Sequence, residues 1–74
     1  MKRLKASEVR ALIGRLVPIT RLRPNYSDEP RLYVVLDVQG RNVEVECCGY
    51  TDWLWLPDLL FGDPVVHTTP EADA

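Results

Sequence analysis

The residues with the greatest chemical reactivity in this chain are two adjacent cysteines, Cys47 and Cys48, and a single histidine, His67. Structural zinc sites use cysteines separated by two or more residues, together with a second pair of ligands. Adjacent residues of a strand point to opposite faces, so the two thiols are expected neither to chelate one ion nor to form a disulfide. Glu44 and Glu46 would disfavour a thiolate beside them. We therefore expect no metal, no cofactor and no catalytic residue.

Three acids are expected to lie together on one face of a β-hairpin. Asp37 and Glu44 face each other across its two strands, and Glu46 lies on the same face. Like charges in directly opposite positions are unfavourable, so an arginine such as Arg21 or Arg15 is expected to relieve them. The alternative is a cation site or a docking face for a basic partner. Hydrolysis by paired carboxylates would need a cleft and raised pKa values, which an exposed two-stranded face does not provide.

The charges are divided unevenly along the chain. All nine Lys and Arg residues lie in the first 41 positions, whereas the remaining positions contain only acidic charges. This division favours either a nucleic-acid contact by the first half or mutual neutralisation of the two halves. The net charge of −2 is not typical of a nucleic-acid module. The residues predicted for such a contact are Lys2, Arg3, Lys5, Arg10 and Arg15.

Two tryptophans form the most conspicuous apolar feature. In a strand over Asp52–Leu56, Trp53 and Trp55 share one face. Leu54 and Leu56 share the other face. A strand that is apolar on both faces is covered on both faces. One face meets the core, and the sequence does not decide which. The second face meets the N-terminal helix, another subunit or a partner, in a surface that Tyr50, Phe61 and Tyr33 would extend.

The elements that position these residues centre on a hairpin over residues 31–38 and 43–49. Its strands alternate between apolar and polar residues, which is typical of half-buried strands. A two-residue turn at Gly40-Arg41, of type II′, sets the register. This register pairs Val38 with Val43, Leu36 with Val45, and Val34 with Cys47, so that all six side chains point inward.

The remaining elements are short. Ser7 and Gly14 are typical end residues of a helix over residues 7–13. A strand over residues 15–22 contains Pro18, which predicts an edge strand or a bulge. Further along the chain, the pattern predicts an exposed loop at 23–30, a 3₁₀ turn at 57–60 and a last strand over Val65–Thr68. Residues 1–68 are expected to form one domain, with a flexible tail at 69–74.

These elements give a mainly β fold with one short N-terminal helix. Their order and spacing resemble the SH3-like barrel: five short strands, a long loop after the first, a tight central hairpin and one helical turn before the last. The resemblance covers residues 15–68 and concerns architecture alone, since the aromatic pair of peptide-binding SH3 domains is missing and Tyr26 stands alone. The competing architecture is an antiparallel sheet packed by one helix, in the α+β class.

A domain of 74 residues buries a small core, so oligomerisation is the expected source of further stability. No signal peptide and no membrane-spanning run is present, which favours a cytoplasmic protein. The leading hypothesis is a small non-enzymatic accessory gene product that acts through protein–protein contact and forms a homo-oligomer, with a dimer favoured over a higher symmetric oligomer. A nucleic-acid-binding accessory protein is the alternative. An enzyme whose site forms between subunits, as in SH3-like reductases, comes third.

Overall fold

The computed structural model describes residues 1–66, which form one short helix and five strands. The tail predicted at 69–74 and the predicted domain end at 67–68 lie outside the described residues. The elements are α1 (Ala6–Arg10), β1 (Leu16–Arg21), β2 (Arg31–Gln39), β3 (Asn42–Cys47), β4 (Tyr50–Trp55) and β5 (Leu59–Phe61). A 3₁₀ turn, Leu56–Asp58, joins β4 to β5, close to its predicted place.

The strands form a single antiparallel sheet in the order β4-β3-β2-β1-β5. The two terminal strands of this order, β4 and β5, are not paired with each other within residues 1–66, so the sheet is open and the predicted closure into a barrel is not found. The fold is therefore mainly β, with an unclosed antiparallel sheet and one short helix. No helix in the described part of the chain is long and apolar enough to cross a membrane.

The core lies against one face of this curved sheet. Its largest fully buried side chains are Phe61, Ile19 and Leu59, from the paired strands β1 and β5. The helix contributes Val9, which is also fully buried, while Leu12 packs against the cluster from the side. Burying one such side chain contributes about 1.5–3 kcal/mol, so a helix too short to form alone is held by this contact.

The central hairpin confirms the turn and corrects the register. Gly40 has a φ of +60° and Arg41 does not have a positive φ, as a type II′ turn requires. Val38 pairs with Val43 as predicted, but Val45 pairs with Val35 because a β-bulge shifts the register at Leu36. Val35 is therefore in the core, and the predicted inward pairs of Leu36 with Val45 and of Val34 with Cys47 are wrong.

The helix begins earlier and ends sooner than predicted. Lys5, not Ser7, occupies the N-cap position, and its backbone N–H donates to Glu8 Oε1 at 2.8 Å. The carboxylate at this position satisfies a backbone donor and favours the positive end of the helix. Gly14, with a φ of +86°, ends the following turn, and its N–H donates to the carbonyl of Val35. This hydrogen bond joins the end of the helical segment to strand β2.

Strand β1 lies between β2 and β5 and pairs with both without a register shift, so the prediction of an edge strand or a bulge is wrong. Pro18 is tolerated there because its carbonyl accepts from Gly62 N–H, just beyond the end of β5. The N–H and C=O of a strand residue point to the same side of the strand. The N–H that Pro18 lacks would therefore point toward Gly62, where the regular hydrogen bonds between β1 and β5 have already ended. A Cβ on Gly62 would lie 3.1 Å from Pro18 Cγ, which shows how closely the chains approach here.

The last strand also differs from the prediction. Leu59–Phe61 forms β5, whereas Val65 and Val66 lie in no strand, and Thr68 lies outside the described residues. Leu59 and Phe61 are buried in alternation, but three residues are too few to show a period of two clearly. The outer edge of β5 is covered by the N-terminal arm, residues 1–5. Within it, the Lys2 backbone exchanges hydrogen bonds of 2.9 and 2.8 Å with Phe61.

Candidate interaction site on the outer face of the sheet

Strand β4 directs its leucine inward and its two tryptophans outward. Leu54 is 2% exposed, whereas Trp53 and Trp55 are 45% and 48% exposed. The helix packs its apolar side against the core, so it does not provide the second cover that the sequence allowed for. We call Trp53 and Trp55 the tryptophan strip. Large half-exposed aromatic side chains of this kind are enriched where proteins meet.

Acidic side chains lie beside the tryptophan strip. The register places Trp53 opposite Glu44, and Glu44 in turn opposite Asp37. This row confirms the predicted pairing of the two acids across the hairpin. The Asp37 carboxylate accepts from Val38 N–H at 2.8 Å and from Gln39 Nε2 at 3.2 Å, so neighbouring donors stabilise it without a cation.

The arginine that was expected to relieve these acids is not found there. The ion pair seen within residues 1–66 joins Arg23 to Asp28 at 3.2 Å, in the loop between β1 and β2. Arg21 and Arg15 do not pair with the acids of the hairpin. The outer face therefore combines apolar aromatic surface with negative charge that the described chain does not neutralise.

The other predicted surface residues are not part of the tryptophan strip. Phe61 is 1% exposed and belongs to the core, so its prediction as a contact residue is wrong. Tyr50 and Tyr33 line a separate groove on the opposite face of the sheet, together with Arg21, Arg31 and Cys47. The sequence missed this grouping because it depends on how β1 and β2 curve toward β4.

The two cysteines also differ from the prediction. Cys48 is not a strand residue but lies in the two-residue turn between β3 and β4, with a φ of +56°. The turn brings its Sγ to 3.6 Å from that of Cys47, on the same side of the chain. The hydrogen bond between the thiols, followed by burial, raises the pKa of Cys47 above its ordinary value, although Arg31 opposes the shift. A nucleophilic thiolate at Cys47 is thereby disfavoured.

Within residues 1–66, no three side chains of His, Cys, Asp or Glu come together in a way that could hold a metal ion. His67, the remaining residue with soft-metal potential, lies outside the described residues.

The predicted basic residues are divided between two places. Arg3 and Lys5 line a cleft of about 330 Å³ together with Arg41 and the apolar side chains of Leu56 and Pro57. The Arg3 guanidinium donates to the carbonyl of Pro57, which fixes the arm over this cleft.

Lys2, Arg10 and Arg15 are exposed and do not line the cleft. Arg41 was missed as a member of this basic group. Continuing the β3–β4 register by one step would have found it, since Leu56 N–H donates to its carbonyl.

Comparison with known proteins found no matching family model, no similar curated protein and no similar solved structure.

Proposed function

We propose that this protein is a small interaction domain that self-associates through the tryptophan strip and the strand that carries it. The observation that carries the proposal is the pair of half-exposed indoles on a face that the helix leaves uncovered. A two-fold contact repeats one patch against itself, so a single apolar strand can serve both partners. Tryptophan contributes strongly to such contacts because it combines a large area with few rotatable bonds.

Light scattering at tens of micromolar tests this proposal directly. The wild type should have twice the 8.5 kDa mass of one chain. Trp55→Lys should return the mass to that of a monomer, because it replaces a large aromatic contact with a flexible charged side chain. Tyr26→Lys is the matched control, since Tyr26 is an exposed aromatic in the β1–β2 loop, and it should leave the dimer intact. A wild-type mass of 8.5 kDa would contradict the proposal.

We further propose that the domain is non-enzymatic and cytoplasmic. The raised pKa of Cys47 and the position of the half-buried hairpin carboxylates on the outer face of the sheet support a binding role rather than a catalytic one. Free thiols at Cys47 and Cys48 are compatible with a reducing compartment. The strand order, the loop after β1 and the 3₁₀ turn before β5 support the proposal that the fold is an open relative of the SH3-like barrel. Such a relationship would constrain the fold more than the activity.

The cleft beneath the N-terminal arm favours nucleic-acid binding as a second candidate function. Its charged lining residues, Arg3, Lys5 and Arg41, are all basic. Backbone phosphates are neutralised by such groups, and binding of this type weakens steeply with salt. The acids of the outer face lie on a different surface, so the cleft can present positive charge despite the net charge of −2.

Point variants test this candidate better than removal of the arm, because Lys2 and Phe61 share backbone hydrogen bonds. Lys5→Ser and Arg41→Ser should weaken binding to single- or double-stranded oligonucleotides and flatten its salt dependence. Arg23→Ser is the control, since Arg23 is paired with Asp28 elsewhere. No binding to either form at low salt would exclude the candidate.

A further inference from the structure

The sheet has two edges, and they differ in how they are finished. At the β5 edge, the arm covers Phe61 through two backbone hydrogen bonds with Lys2. At the β4 edge, no element of the described residues pairs with the strand on its outer side. An uncovered edge strand presents unpaired N–H and C=O groups to any other chain that can pair with them.

The β3–β4 turn determines which residues face that edge. Cys47 and Tyr50 close a two-residue turn, so they form a hydrogen-bonded pair, as do the pairs at every second position along the hairpin. Asp52 and Leu54 therefore point their backbone groups toward β3. Thr51, Trp53 and Trp55 point theirs outward. The three outward residues are also those whose side chains lie on the outer face of the sheet.

One of the outward donors is already occupied by a side chain. Trp53 N–H donates to Asp52 Oδ1 at 2.8 Å, and Asp52 is exposed. An acid that satisfies its neighbour's backbone donor on an edge strand reduces the tendency of that edge to pair. Asp52 thus competes with any incoming strand for the central donor of the edge.

We propose that the β4 edge pairs with the β4 edge of a second copy, with Trp53 opposite Trp53 of the partner, and that Asp52 limits the strength of this pairing. The proposal rests on the self-association proposed above and specifies its geometry. Centring the antiparallel pairing on Trp53 places Thr51 opposite Trp55 of the partner. Both backbone groups of all three outward residues are then satisfied. A register centred on Asp52 would put two carboxylates directly opposite each other, which is unfavourable.

Charge also favours edge pairing over face-to-face packing. Stacking two outer faces would bring the Asp37–Glu44 rows of the two copies together. Edge pairing instead separates Glu44 from its equivalent by three strand spacings, about 14 Å. This distance exceeds the Debye length of about 8 Å at physiological ionic strength, so the repulsion is largely screened. Because the arm covers the other edge, assembly stops at two copies.

The test compares variants that change only the outward side of β4. Thr51→Pro removes an outward N–H without breaking a bond to β3, and Thr51→Ala keeps that N–H. The dimer dissociation constant, measured by sedimentation, should rise about tenfold or more in Thr51→Pro relative to Thr51→Ala. Asp52→Ala should lower the constant several-fold, because it frees Trp53 N–H. Asp52→Asn, which keeps an acceptor, should lower it less. Far-UV circular dichroism confirms that each variant is folded.

The outcomes separate this inference from the function on which it rests. A wild-type dimer that Thr51→Pro leaves as tight as Thr51→Ala would overturn edge pairing while retaining self-association. A monomeric wild type with a dimeric Asp52→Ala would support edge pairing and its restraint by Asp52, and would contradict wild-type self-association. Monomers throughout would overturn both.

Discussion

At the scale of single residues, two aspartates do the same work in different strands. Asp37 Oδ1 accepts from Val38 N–H and Asp52 Oδ1 accepts from Trp53 N–H, each at 2.8 Å. Both donors lie where a neighbouring strand is missing: Trp53 on the open edge, and Val38 beyond the last pairing of β1 with β2. A backbone donor without a partner is unfavourable. In both places the short acidic side chain next to the donor accepts the hydrogen bond that a neighbouring strand would otherwise accept.

The bulge at Leu36 shows why local pattern could not give the whole register. Val34, Leu36 and Val38 recur at every second position, which predicts three inward side chains, but the intervening Val35 is equally apolar. Tertiary packing selects Val35 instead, because the bulge places Leu36 and Asp37 together opposite Glu44. The sequence contains no glycine or proline at this point that would have indicated the irregularity.

This arrangement reverses the expected order of two core substitutions. Val35→Ala should destabilise the fold by about 2–3 kcal/mol, because Val35 is completely buried. Leu36→Ala should cost about 1 kcal/mol, although it removes more atoms, because Leu36 is only half-buried. Urea unfolding followed by circular dichroism measures both. A greater loss for Leu36→Ala would mean that the bulge is misplaced.

At the scale of elements, the two hairpin turns differ in how visible they are in the sequence. Gly40-Arg41 has glycine at the position that needs a positive φ, and the turn was predictable. Cys48-Gly49 has positive φ at both positions, of +56° and +85°, as in a type I′ turn. Cysteine is not a usual residue there, so a bend at Gly49 was all that could be foreseen. The meeting of the two thiols was missed for the same reason.

A suitable substitution in the β3–β4 turn is therefore expected to raise the stability of the protein. Cys48→Asn should stabilise the protein by about 0.5–1 kcal/mol, because asparagine tolerates positive φ and Asn-Gly is the favoured type I′ pair. Cys48→Val should be destabilising by a similar amount or more, since a branched side chain is strained at this φ. Thermal unfolding in a reducing buffer distinguishes them. Equal melting temperatures for the two variants would argue against the left-handed conformation at residue 48.

At the scale of the whole molecule, a feature was predictable from the sequence when the residues that determine it lie close together along the chain. The central hairpin turn and the division of β4 into leucine and tryptophan faces depend on near neighbours and were available from the sequence. The position of β1 inside the sheet, the identity of β5 and the cover that Lys2 gives to Phe61 depend on residues far apart. The openness of the sheet belongs to the same class, because it is decided by how far curvature brings β4 toward β5.

The pairing of Lys2 with Phe61 also bears on the order in which the elements fold. Strands β2, β3 and β4 are joined by two-residue turns and can pair within microseconds. The pairing of β5 with the arm first requires a long loop to close. The meander should therefore form early, and the seam between arm and β5 late. In the folded protein, the amides of Lys2 and Phe61 should exchange with solvent through partial opening, faster than those of Val43 and Val45. Hydrogen exchange that is equally slow at both places would indicate that the molecule opens only as a unit.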